Sequence, residues 1–285
     1  MKIVRFLGGL GNQMFQYAFY KSLTKKSRSV KADLTEFEGY ALHNGFELER
    51  VFNIHLPSVS RFWVNIYDSG NSKFVYRKLR KLLGLKKAFY SENPIFSFDR
   101  EILEDKTSKL YWGYWQNASY FKDILPELLN DFQFKEPLTG KNLTTLDTIL
   151  HSESVALHVR RGDYLNEPLL GGICDLEYFR NAIAIMNQKV ADPRYFVFSN
   201  DQDWCKANLP LSGATFVDWN QSENSYIDMQ LMSNCKHLII SNSSFSWWAA
   251  TLNNNPQKVI ISPKRWVNDE LLDTSGLINN TWITL

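Results

Sequence analysis

The second half of the chain constrains the fold most. Residues 155–159, 195–199, 237–241 and 259–262 are short apolar runs of strand type, and residues 176–190, 222–235 and 245–252 between them place apolar side chains at helical spacing. Such alternation predicts a parallel sheet covered by helices. The first half opens the same way: a β-type run over residues 2–7 ends at Gly8-Gly9-Leu10-Gly11, and residues 12–26 follow with helical periodicity.

Between residues 135 and 148 the sequence turns polar, with Pro137, Gly140 and several Thr. The boundary between two lobes is expected there, giving an N-terminal α/β lobe over 1–150 and a C-terminal one over 151–285. Two α/β lobes that each open with a strand running into a special loop suggest a GT-B-like arrangement, two Rossmann-type lobes with parallel sheets facing a central cleft. Ligands in open α/β sheets bind at the carboxyl ends of strands, so the loops after Leu7, Val159, Ser199 and Ser241 are expected to face that cleft.

A chain of 285 residues with 44% hydrophobic residues can bury one large core or two modest ones. Its net charge of +2, from 32 basic and 30 acidic residues, selects neither a nucleic acid nor an acidic surface, so local patches must decide partners. Three cysteines, Cys174, Cys205 and Cys235, lie far apart without a CxxC pair, which speaks against a disulfide framework or a structural zinc site. Nine Trp suit either a core or the stacking of sugar rings. The basic stretch 77–87 reads as one amphipathic helix, with Arg77, Lys78, Arg80, Lys81, Lys86 and Lys87 either a solvated face or an attachment to anionic membrane. The opening residues are too short an apolar run for a signal-peptide core, and no stretch reaches the roughly 20 apolar residues of a membrane helix. A cytoplasmic location is expected, with peripheral contact at the inner membrane surface allowed.

Three local patterns carry chemistry. In Val155-Ala156-Leu157-His158-Val159-Arg160-Arg161-Gly162-Asp163-Tyr164, two arginines emerge where an apolar strand ends. Guanidinium forks match phosphate oxygens and stay charged, so the pair reads as a phosphate clamp or as a surface ion pair with Asp163. In Ser241-Asn242-Ser243-Ser244-Phe245-Ser246-Trp247-Trp248, a strand passes through hydroxyl residues into an apolar helix. Hydroxyls and backbone N–H groups there suit a diphosphate, and four Ser with an Asn exceed what a helix cap requires. The third pattern, Gly8-Gly9-Leu10-Gly11-Asn12-Gln13, lets backbone approach a ligand, or is a tight turn with Asn12 as helix cap. It is neither a dinucleotide fingerprint nor a P-loop.

Together the three strings, in this order, resemble the α-1,2-fucosyltransferases of glycosyltransferase family 11 from about residue 5 to 252. The resemblance implies GDP-fucose as donor, transfer with inversion to the 2-hydroxyl of a galactose-terminated oligosaccharide or glycolipid, and no metal or other cofactor. It implies that Arg160 holds the β-phosphate and offsets charge on departing GDP, with Arg161 in support. His158 would lie beside the nucleoside, Asp228 would read guanine, Asn242, Ser243, Ser244 and Phe245 would line the diphosphate and base, and Asn12 would approach from the other lobe. Asp201-Gln202-Asp203 spells the Asp-x-Asp of metal-dependent enzymes but falls in a segment resembling this family's Phe-Ser-Asn/Asp-Asp motif. For a general base the candidates are Asp163 and Glu167, and a base-free mechanism stays open. Rival readings are a GDP-fucose transferase of another linkage and a non-catalytic carbohydrate- or nucleotide-binding protein.

Overall fold

Strand β5, Glu153–Val159, has six of its seven residues buried because both edges are paired and both faces are covered. Val155, Leu157 and Val159 pack with Tyr178, Phe179 and Met186 of the helix Leu176–Lys189, while His158, on the alternate face, lies beside Phe245. The computed structural model describes all residues except 40–43 and 210. With β6 (Pro193–Ser199), β7 (Thr215–Val217), β8 (His237–Ile239), β9 (Ile260–Ser262) and β10 (Ile283–Thr284), β5 forms a six-stranded parallel sheet in the order β10-β9-β8-β5-β6-β7. The chain runs outward from β5 through β6 and β7, then returns to lay β8 on the other side of β5. That reversal makes the β5/β8 ends a topological switch point, where open sheets leave a crevice.

The chain divides into Met1–Lys135 and Glu136–Leu285. This boundary precedes the expected one at residue 150. The helix Gly140–Leu150 belongs to the second unit because it packs against β5 and the helix Tyr226–Asn234. Polar composition marked a connection here but could not say which core the next helix joins.

The first unit is a four-stranded parallel sheet, β2-β1-β4-β3, built from β1 (Lys2–Arg5), β2 (Val30–Asp33), β3 (Phe89–Ser91) and β4 (Lys109–Trp112). The central β1 is buried throughout although it carries two cations; Arg5 Nε meets the fully buried Asp33 carboxylate at 2.7 Å. After β1 the chain turns at Gly8, whose φ of +77° favours glycine and whose missing Cβ leaves room for Asn12. The helix then runs Leu10–Lys26 with Gly9 as its N-cap, so Asn12 lies inside the first turn and is not the cap. The buried Glu47 carboxylate accepts from the backbone of Leu10 at that helix start, where an anion would otherwise be welcome.

The basic helix spans only Phe74–Leu82, leaving Lys86 and Lys87 beyond its end. Arg80 is not on the solvated face: it is buried, and its guanidinium donates to the carbonyls of Asn65, Ile66, Asp68 and Asn71. A planar fork with five donors can gather a loop of carbonyls in this way.

Gln16 is fully buried and ties three backbone groups: Oε1 accepts from Leu7 N–H at 3.0 Å, and Nε2 donates to the carbonyls of Leu7 and Gly113, each at 3.2 Å. Gln16→Ala should therefore lower stability by roughly 2–4 kcal/mol, because buried polar groups are left unpaired. Urea denaturation would measure it; a loss under about 0.5 kcal/mol would mean that water replaces the amide without cost.

Candidate active site

At the switch point the ends of β5 and β8 are joined by one hydroxyl. Ser241 Oγ donates to the carbonyl of His158 at 2.7 Å and accepts from the backbone N–H of Arg160 at 3.2 Å. The strand thus stays aligned up to the residue whose side chain leaves the sheet. Arg160 Nη2 bonds the exposed Asp163 carboxylate at 2.8 Å, its guanidinium lies 5.3 Å from the Tyr164 ring, and its Nε is buried with no hydrogen-bond partner. A guanidinium N–H removed from water without an acceptor is costly, so this group is short of one acceptor.

Arg161 is engaged differently. Its Nε meets Asp201 Oδ2 at 3.0 Å, its guanidinium stacks 4.0 Å from the Trp204 ring, and its backbone N–H donates to Asn200 Oδ1 at 2.9 Å. The other Asp201 oxygen caps the helix Gln202–Asn208 through the N–H of Trp204. The Asp-x-Asp string therefore holds Arg161 and starts a helix. Gly162 follows at φ +44°, and a side chain there would collide with Asn200.

Arg160 and Arg161 line a cavity of about 280 Å³ with Tyr164, Cys174, Trp204 and Asn242. Asp163 and Glu167, the two expected bases, are exposed and do not line it. The carboxylate at this cavity is Asp175, which also caps the helix Leu176–Lys189 by accepting from Tyr178 N–H at 2.8 Å. Its position one residue before a helical run signals a cap, and nothing local to it signals a cavity. The Cys174 thiol is pushed up to about 12 by burial, so it stays protonated.

The hydroxyl-rich string divides its labour. Ser241 bridges strands, and Ser246 donates back to the carbonyls of Ser241 and Ser243. Asn242, expected at the diphosphate, does line the cavity, while its amide donates to the carbonyls of Leu170 and Trp266 and fastens the loop after Arg161 beyond the end of β8. Ser243 pairs with the Tyr164 hydroxyl, and no side chain caps the helix Ser244–Leu252 that follows. Capping is therefore not what the Ser243 hydroxyl does. Phe245 is half-buried with its ring 5.8 Å from the His158 ring. Burial, and then the Arg160 cation, lower the His158 imidazole to about 3, so it is neutral with a buried, unpartnered Nδ1.

Asp228 stands in the first turn of Tyr226–Asn234, apart from the Arg160 cavity lining. Its carboxyl is pushed up to about 7 by burial, opposed by one hydrogen bond from Asn220 Nδ2 at 2.8 Å. Asn220 is held by a reciprocal amide pair with Asn142 at 2.8 and 3.0 Å, and Trp219 Nε1 donates to Asn142 at 2.7 Å. Sequence reasoning passed over Asn142, Trp219 and Asn220, since residues 78 apart pair only once the helix Gly140–Leu150 is docked. In the first unit, Asn12 Oδ1 accepts from Gln116 Nε2 at 2.8 Å.

The family model "Glycosyl transferase family 11" matches residues 1–285. An α-1,2-colitosyltransferase of Escherichia coli is 34% identical over 99% of this chain and 98% of its own length. The O-antigen biosynthesis glycosyltransferase WbnK of the same organism is 32% identical over 98% of each. Human galactoside α-(1,2)-fucosyltransferase 1 is 35% identical over 86% of this chain and 63% of its own length. A solved fucosyltransferase, NodZ from Bradyrhizobium, superposes with a TM-score of 0.50 at 12% identity, over 87% of this chain and 91% of that one. The fold is thus GT-B-like, and the chain belongs to glycosyltransferase family 11 and is a glycosyltransferase.

Proposed function

We propose that the protein transfers L-fucose from GDP-fucose to the 2-hydroxyl of a galactose-containing glycan, inverting the anomeric centre without a metal ion. The observation that carries this reading is Arg160, a cation at the switch point of a parallel sheet, lining a cavity with one buried N–H short of an acceptor. A diphosphate oxygen would supply that acceptor. In the proposed displacement, the acceptor oxygen bonds to the anomeric carbon as the bond to the diphosphate oxygen breaks. The electron pair moves onto the diphosphate, where the Arg160 charge offsets it. Asp163 is occupied by Arg160 and Glu167 lies outside the cavity, so neither is assigned as base; the acceptor proton leaves after the new C–O bond has formed and passes to the departing diphosphate or to water.

Asp228 is assigned to guanine, whose adjacent N1–H and amino group present two donors to one carboxylate. His158, Ser243, Ser244 and Phe245 keep the donor-binding roles implied by the family, and Arg161 supports Arg160. The proposed location is the cytoplasm, with peripheral contact at the inner membrane surface allowed. A second donor has a specific observation in its favour: the relative that is 34% identical over nearly the whole chain is a colitosyltransferase. Colitose is fucose without its 3-hydroxyl.

GDP release in the presence of EDTA, with GDP-fucose and GDP-colitose run in parallel over β-galactosides including lactose, tests the reading. Galactoside-dependent release from GDP-fucose supports it, preference for the deoxy donor selects the second sugar, and release only with manganese overturns the metal-independent mechanism. Arg160→Ala should lower kcat/KM by roughly 10²–10³, the range seen when a charge-stabilising donor is removed.

Only the ionised Asp228 can accept from both guanine donors at once, so GDP affinity should fall as pH drops below about 7, by up to tenfold per unit. Asn220→Ala removes the bond that favours the carboxylate and should move this midpoint upward. Fluorescence titration of GDP across pH would show it; a flat profile would remove Asp228 from the base site.

A further inference from the structure

We propose that the outward face of the helices Arg61–Tyr67 and Phe74–Leu82, with the turn that follows, is a docking surface for an anionic lipid bilayer. It deepens the peripheral membrane contact allowed above and rests on it for its biological setting only. Residues 61–87 contain 8 of the chain's 32 basic residues and 1 of its 30 acidic ones, Asp68. The remainder therefore holds 24 basic and 29 acidic residues and is net negative, so the chain's overall +2 conceals a strongly polarised molecule.

The helix Phe74–Leu82 turns Tyr76 and Leu79 toward the cluster around Val64, Ile66 and Tyr67. At 100° per residue, Phe74, Val75 and Leu82 then fall on the outward arc, interleaved with Arg77, Lys78 and Lys81. Phe74 is 75% exposed and Leu82 79%, both large apolar side chains in water. Leu83 is exposed next to Leu82, and Phe62 and Trp63 are exposed on the helix Arg61–Tyr67, where the Phe62 ring contacts both Trp63 and Tyr76. Scattered apolar residues need no explanation, but a run of them rimmed by lysines does. Aromatic and leucine side chains among basic residues on a surface helix fit the headgroup boundary of an anionic bilayer, the apolar groups entering and the cations meeting phosphates.

Charge decides between this occupant and a second copy of the chain. A two-fold interface here would face one basic cluster with its twin, which works against pairing. Buried Arg80 stays out of the surface and instead holds the connection between the two helices through its carbonyl contacts.

The test is co-sedimentation of the full chain with vesicles of phosphatidylethanolamine and phosphatidylglycerol, against vesicles of phosphatidylcholine alone. Binding is expected to the anionic vesicles only and to weaken with salt. The pairs Phe74→Ser with Leu82→Ser, and Lys78→Glu with Lys81→Glu, should each weaken it by roughly tenfold or more. Both pairs should leave thermal melting and turnover of a soluble galactoside unchanged. No binding by the wild type, equal binding to both vesicle types, or binding indifferent to both variant pairs would overturn the proposal. So would a dimer in light scattering that these substitutions dissociate. Because sedimentation is read without turnover, its failure would leave the transfer reaction standing, and failure of the transfer assay would leave the membrane surface standing.

Discussion

Everything at the candidate site depends on the hydroxyl of Ser241. Parallel strands β5 and β8 exchange evenly spaced backbone bonds along their length, but at their carboxyl ends the chains must part and the ladder stops. A fully buried serine that donates to one backbone carbonyl and accepts from the next N–H but one extends the pairing past that point. Arg160 therefore leaves the sheet from a backbone held on both sides. An arginine on a loose loop would lose much of its electrostatic worth to reorganisation, since preorganised charge is what such sites exploit.

Two adjacent arginines end with different assignments because different neighbours meet them past the end of β5. Arg161 points to the β6 side, where Asp201 and Trp204 neutralise and stack on it, and it stiffens the turn at Gly162. Arg160 keeps an unpaired buried N–H beside the cavity. Burial works the other way on the remaining ionisable groups nearby. It holds His158 neutral and raises the Asp228 carboxyl.

Much of this was legible without coordinates. Alternation of strand and helix periods identified β5, β6, β8 and β9 and the helices Leu176–Lys189, Tyr226–Asn234 and Ser244–Leu252 within a few residues, but not the short helix Gln202–Asn208. The strands β7 and β10, of three and two residues, left no period to read. The Arg-Arg and Ser-Asn-Ser-Ser strings were visible as unusual clusters, yet their chemistry was assigned too uniformly. Asn242 and Ser241 are spent on backbone carbonyls, and Arg80 in the basic helix is buried among them, because side-chain partners come from segments distant in sequence.

The sequence by itself determined the parallel α/β architecture, the placement of arginines and hydroxyls at strand ends, and the family, because these follow from local periodicity and contiguous strings. Tertiary structure alone decided the boundary at Lys135, the amide pair that holds Asn220 against Asp228, and the exclusion of Asp163 and Glu167 from the Arg160 cavity. Those outcomes turn on which distant backbone or amide group comes within hydrogen-bond reach once the sheet has twisted and the helices have docked, and no local pattern encodes that distance.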